Sequence, residues 1–163
     1  MKAITIWQPY ATLIMLGAKR FETRSWPTTY RGPLVIHAAK RWDEYRALDC
    51  LAVKRYLQNS DFDESKLTEE QWRLSLLPWE DTIGRALGVV DLVNCSQMNS
   101  GGTVLENQVG SFGPERFGWE CQRPKCFPQP IYHPGKQGLW YPEVHLQKSV
   151  ANLLGEVHAN ESA

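Results

Sequence analysis

Two residues near the start of the chain restrict it most. Pro9 and Gly17 bracket Ala11, Leu13, Ile14 and Leu16. A helix begun after the proline must end at the glycine, since proline suits a first helical turn and glycine a left-handed cap. Ahead of Pro9, Ala3-Ile4-Thr5-Ile6-Trp7 alternates and is β-branched, which reads as a strand. Beyond Gly17, Phe21-Glu22-Thr23-Arg24 reads as extended. The chain therefore runs strand, short helix, strand by residue 24. The second turning point carries Lys19, Glu22 and Arg24 in the spacing G-x-K-x-x-E-x-R. Glu22 and Arg24 share one face of an extended segment, because side chains alternate with period two. Trp7, Tyr10 and Trp26 flank them. Charges of both signs, crowded among aromatics, mark a site rather than a solvated face.

The remainder reads as strands separated by helices. Ser25 to Pro33 is a loop and Leu34 to Ala38 a buried strand. From Trp42 to about Leu57 apolar residues recur at helical spacing, and Asn59 to Ser65 is a polar loop. Thr68 followed by Gln71 has the form of a capping box, opening a helix that ends before Pro78. These helices read as an insertion over residues 42–80 or so. Arg85 to Asn94 is the strongest strand; Ser96 to Gly113 is loop-like, with a helical turn at Val104–Gln108. Phe117 to Cys121 is another strand, and Pro124, Pro128, Pro130 and Pro134 then enforce extended, non-helical backbone. Gly138 to Tyr141 begins the last strand, and residues 149–163 form a tail with a weak helix. Strands at both ends with helices between them predict one α+β domain, residues 1–148, on a small barrel rather than a doubly wound sheet.

Net charge is zero, which excludes a global field drawing in long polyanions. The zero conceals an asymmetry. Residues 1–46 carry eight Lys and Arg against three Asp and Glu, a net of +5, and the rest carry ten against fifteen. A basic first third suits an anionic or polar ligand such as a nucleotide or an RNA strand. No apolar run approaches the roughly 18 residues of a membrane span, and the first one is too short for a signal peptide, so a cytoplasmic location is expected. Cys50, Cys95, Cys121 and Cys126 form no C-x-x-C pair, and His133 and His145 do not complete a zinc spacing with them. The thiols read as buried or free, and neither a metal nor a cofactor is expected.

Trp7-Gln8-Pro9-Tyr10-Ala11, the Gly17–Arg24 motif, Tyr30-Arg31-Gly32 and His37-Ala38 resemble the ASCH domain, a relative of the PUA family. Phe117-Gly118-Trp119-Glu120 and Gly135-Lys136-Gln137-Gly138-Leu139-Trp140 resemble its closing strands. The resemblance covers nearly the whole chain outside Trp42 to Ile83. It implies a PUA-like β-barrel of five or six strands with helices at its ends, and a cleft over the motif that receives RNA or a nucleotide-like ligand. Some relatives are single-strand ribonucleases. A shorter bacterial relative removes the acetyl group of N4-acetylcytidine, using a threonine where this chain has Glu22. Glu22 cannot supply that hydroxyl, and Thr23 should point to the opposite face.

Three function classes follow. As an RNA- or nucleotide-binding module, the chain would stack bases on Trp7, Tyr10 and Trp26 and hold phosphates with Lys19, Arg24, Arg31 and Lys40. As a hydrolase of RNA phosphodiesters or of a modified nucleoside, it would use Lys19 and Arg24 to stabilise developing negative charge and Glu22 as general base. Glu106 is a looser candidate for a second carboxylate, and His37 is either an acid or a packed core histidine. As an adaptor, it would hold a partner peptide and do no chemistry. Against all three stands an ion network that merely ties the helix end to the barrel. Trp42, Trp72, Trp79 and Trp140 read as packing residues, Trp119 fits either role, and Lys136 sits on a turn facing the cleft.

Overall fold

The structure is a computed structural model that describes residues 1–155. Its strands are β1 (Lys2–Ile6), β2 (Phe21–Arg24), β3 (Gly32–Ala38), β4 (Arg85–Gln97), β5 (Phe117–Tyr132) and β6 (Leu139–Trp140). Its helices are α1 (Tyr10–Leu16), α2 (Glu44–Gln58), α3 (Glu69–Leu76), α4 (Val104–Val109) and α5 (Val144–Leu154).

The six strands form one curled sheet in the order β2-β5-β4-β3-β1-β6, so the α+β, barrel-derived architecture is present as a half-barrel. Only the β1–β3 pair is parallel, Lys2 lying opposite Leu34 and Ile6 opposite Ala38. The α1–β2 excursion between those strands is long enough to return the chain to the same end of the sheet. The curl is measurable. β2 and β1 stand four places apart in the strand order, yet Arg24 Nη2 on β2 donates to the Thr5 carbonyl on β1 at 3.1 Å.

Both faces of the sheet are covered. On β3, Leu34, Ile36 and Ala38 join Ile4, Ile6, Ile14 and Met15 in one core, while Val35 packs on the other face with Ala3, Val89, Leu146 and Val150. This alternation is the period-two pattern of a strand buried twice. α1 closes at Gly17, whose φ of +76° is a left-handed cap. α3 carries the predicted capping box: Gln71 N donates to Thr68 Oγ1 and Thr68 N to Gln71 Oε1. Gln71 Nε2 also donates to the Met15 carbonyl, pinning the insertion to α1. That orientation buries Gln71 and Leu74 and turns Trp72 outward, 46 % exposed, so the packing role expected of Trp72 is corrected. Trp140 is buried, whereas Trp42 and Trp79 are half-buried.

β5 is longer than the expected Phe117–Cys121 because the proline-rich segment stays in the sheet. Its ladder with β4 pairs Cys121 and Gln122, then Lys125 and Cys126, then Ile131 and Tyr132. Pro124, Pro128 and Pro130 fall in the gaps, where no ladder N–H is required. Register shifts at Ala86/Gly88, Val89/Asp91 and Leu92/Asn94 bend the pair. Beyond Lys148 the chain is helical to Leu154, and residues 156–163 of the expected tail lie outside the described residues. No described helix is long and apolar enough to cross a membrane.

The first bulge depends on Gly88. A Cβ there would lie 2.2 Å from the Lys125 carbonyl oxygen and 2.8 Å from Cys126 Cα, both backbone atoms that cannot step aside. Gly88→Ala is expected to destabilise the fold by about 1–3 kcal/mol or more, as overpacking does, read as a lower urea midpoint with unchanged m-value.

Candidate functional site

The motif lies where α1 ends and β2 begins. Lys19 N donates back to the Leu13 carbonyl at 3.0 Å, which turns the lysine stem inward at the helix end. Its side chain is only 2 % exposed; Nζ donates to the Phe21 carbonyl and lies 4.0 Å from Glu22 Oε2. Glu22 Oε1 lies 2.9 Å from Arg24 Nε, a close ionic contact without hydrogen-bond alignment. Glu22 is thus flanked by two cations, Arg24 sharing its face by period-two alternation and Lys19 reaching it from the turn before β2. Beside them Cys121 is buried, and burial pushes its thiol up to about 12, so it remains an inert thiol.

These residues floor a cavity of about 520 Å³. One wall is aromatic. Trp119, wholly buried, donates from Nε1 to the Trp26 carbonyl at 3.3 Å and meets the Trp26 ring edge-on at 4.6 Å, so the ambiguous tryptophan is a core support for the half-buried Trp26. Trp7 stands 45 % exposed, with the Arg46 and Arg41 guanidinium carbons 4.5 and 5.5 Å from its ring centroid. Tyr10 OH reaches Asp49 Oδ2 at 3.5 Å, and burial raises its phenol further, keeping it protonated. Behind Trp7, Gln8 is buried and satisfied: it donates to Thr12 Oγ1 and Thr82 Oγ1 and accepts from Thr12 N.

The opposite wall follows α4. Thr23 Oγ1 accepts from Ser111 N at 3.0 Å, and Arg116 Nη2 donates to the Thr23 carbonyl at 2.9 Å. Glu106 is buried where the Arg20 amide donates to Oε1, while Oε2 has no partner among the described residues. It stands behind the motif and does not line the cavity. Burial raises its pKa, opposed by backbone hydrogen bonds from Arg20 and Phe21 and by the Lys19 charge.

Most of the predicted residues meet. Trp7, Tyr10, Lys19, Glu22, Arg24 and Trp26 all border this cavity. Arg31 does not: its Nη1 donates to the Thr28 and Tyr30 carbonyls of its own loop. Lys40 lies in a neighbouring hollow of about 690 Å³ with His37 and Lys136. His37 is a packed residue, Nε2 donating to the His133 carbonyl at 2.7 Å, with burial lowering its pKa. Cys121 and Cys126 are buried in the core. His133, Glu143 and His145 bring ligand-type atoms within 4.8 Å of one another, but His133 Nε2 already accepts the Glu143 amide at the start of α5. Arg46, Asp49 and Arg116 escaped sequence reasoning. The first two stand one helical turn apart and are ion-paired at 2.9 Å, a signal easily taken for surface decoration.

The buried Glu106 gives a pH test. Ionising it costs the folded state more than the unfolded chain, so its contribution is complete below the ordinary carboxyl range and shrinks as pH rises through its raised value. Glu106→Gln has no such proton to lose. The variant's stability relative to the parent is expected to increase from about pH 4 to about pH 7 in urea denaturation, and a flat or falling difference would show a carboxylate held charged by Lys19.

A family model of the ASCH domain matches residues 4–130. The match takes in the motif, the helical insertion and nearly all of β5, and ends before the Gly135–Trp140 segment. Activating signal cointegrator 1 of Homo sapiens and that of Mus musculus are each 33% identical over 93 residues. That stretch is 56% of this chain and 14% of either relative, so the chain spans only a small part of those proteins. With motif, curled sheet and family match in agreement over most of its length, the chain belongs to the ASCH domain family.

Proposed function

We propose that the chain binds single-stranded RNA or a nucleotide-like ligand in the cavity floored by Lys19, Glu22 and Arg24. One observation carries the reading. Lys19, Arg24, Arg46 and Arg116 border the cavity against only Glu22 and Asp49, and both carboxylates are already engaged, Glu22 by Arg24 and Lys19, Asp49 by Arg46. The surplus is positive and partly desolvated, which suits phosphate. The tryptophans beside it suit a base, since stacking contributes about 1–3 kcal/mol per base and tolerates any sequence. Membership of the ASCH family, whose resemblance implied such a cleft, supports the same ligand class. Zero overall charge fits modest affinity for a short strand rather than coating of long nucleic acid.

A hydrolase is the second reading, favoured by the burial of Lys19 beside Glu22 at the cavity floor. A preorganised cation out of water is where negative charge developing on a substrate would be stabilised most. Its test is incubation with short RNA and modified nucleosides, products read by mass spectrometry. Turnover that Glu22→Gln abolishes would replace the binding module with an enzyme; intact ligands would leave the binding module.

For binding, fluorescence anisotropy with a short labelled single-stranded RNA is decisive. Trp7→Ala is expected to cost about 1–3 kcal/mol of binding, one stacking platform. Lys19→Met keeps the buried stem but loses the charge, and should flatten the plot of log K against log salt by about 0.7, one phosphate contact to a single strand. Circular dichroism checks that both variants fold. If the parent binds neither RNA nor mononucleotides, the proposal fails, and the apolar hollow between α2 and α3, with Leu51 and Trp72 on its rim, becomes the better interaction surface.

A further inference from the structure

We infer that the site is built for a strand of at least two nucleotides that crosses Arg24, with the motif cavity holding one nucleotide and the neighbouring hollow the linking phosphate and the next nucleotide. The inference rests on the RNA reading above and specifies its substrate. The two hollows, about 520 and 690 Å³, share Thr5, Trp7, Arg24 and Trp26. The bond from Arg24 to the Thr5 carbonyl is therefore the sill between two compartments rather than the end wall of one. The exposed Trp7 and the half-buried Trp26 border both sides, so one pair of aromatic residues serves two successive bases.

The second compartment has its own electrostatic character. Its charged lining is Arg24, Lys40 and Lys136, with no carboxylate among them. Lys40 and Lys136 are exposed and belong to no salt bridge among the described residues, so their charge is available to a ligand. An all-cation hollow beside a stacking wall selects a phosphodiester, and a free nucleoside would leave it unused.

The compartment is also structurally specified. Its floor is His37, 1 % exposed, which spends Nε2 on the His133 carbonyl and leaves Nδ1 without a partner among the described residues. The turn bearing Lys136 lies directly on that ring: a Cβ at Gly135 would meet His37 Cε1 at 2.6 Å, Nδ1 at 2.8 Å and Thr5 Oγ1 at 2.9 Å. Only glycine lets the turn settle this low over the ends of β1 and β3, which places Lys136 at the rim of the same hollow as Lys40. Close packing that sets the Lys136 turn beside Lys40, both without a salt bridge among the described residues, is the arrangement of a phosphate subsite.

The test is calorimetric titration with uridine and adenosine, their 5′-monophosphates, the dinucleotides UpU and ApA, and inorganic phosphate. The parent should bind a dinucleotide at least about tenfold more tightly than the matching nucleoside or monophosphate. Lys40→Ala with Lys136→Ala should remove most of that advantage with thermal unfolding unchanged, and inorganic phosphate should erode it in the parent. Equal affinity for nucleoside and dinucleotide would overturn the inference while leaving the nucleotide reading standing. So would a monophosphate that matches the dinucleotide, because the hollow would then be a terminal phosphate pocket. A dinucleotide advantage untouched by the double substitution would place the second nucleotide elsewhere and also overturn it. Failure of every nucleoside, nucleotide and dinucleotide to bind would instead remove the function on which the inference rests.

Discussion

The contact on which this architecture turns is Arg24 to the Thr5 carbonyl. A curled but open sheet has two edges to manage, and an unpaired edge leaves backbone donors and acceptors exposed. Here a side chain from edge strand β2 crosses to β1, bridging part of the opening without a ladder. Glu22, two residues earlier on the same face, steadies the guanidinium, and Lys19 steadies Glu22. The motif is therefore a structural brace and a charged floor at once. Removing one member of such a buried group typically costs about 3–5 kcal/mol because the other charge is stranded. The same three residues form an ion network and line the cavity, so the brace does not exclude the binding role proposed for them.

The peripheral helices make sense against that brace. Three of them are fastened to the Trp7–Arg24 segment by a polar contact: α2 through Arg46 over Trp7, α3 through Gln71 to the Met15 carbonyl, α4 through Glu106 to the Arg20 amide. The first contributes Arg46 to the cavity, the second orients the insertion, and the third buries a carboxyl behind the motif. Glu106 is best understood as a positioning group, since it holds the turn that carries Lys19 without reaching the cavity. Its unpartnered Oε2 is the cost of that placement, and burial keeps the group nearer to its neutral form.

Local chemistry made part of this legible in advance. Pro9, Gly17 and the Thr68/Gln71 pair act within a few residues, so their helices ended and began where expected. The face shared by Glu22 and Arg24 follows from strand geometry alone. What escaped depends on partners far along the chain. The bulges of β4 arise only when it meets β5, and the prolines of β5 look like a strand's end until the gaps in its ladder are seen. Arg46, Asp49 and Arg116 enter the site because the insertion and the loop after α4 fold back over it, which no spacing announces. Arg31 and Trp72 failed for the converse reason. An arginine beside a motif can be claimed by its own loop carbonyls, and a tryptophan on a short helix can lose its place to a glutamine that finds a buried partner.

Charge placement decides what kind of ligand such a site can hold. Over the whole chain positive and negative charges cancel, and at physiological ionic strength charges act over about 8 Å, so a distant phosphate feels little. Inside the two hollows the balance differs, because their carboxylates are spent internally and several cations are not. Attraction therefore begins only once a ligand is already within the cleft. On the proposed reading, a long polyanion would gain no more than the few phosphates that fit across Arg24, whereas a short single strand would have most of its charge within reach of the cleft. Under that proposal, local surplus with global neutrality would favour a short, flexible strand over the coating of a long polyanion.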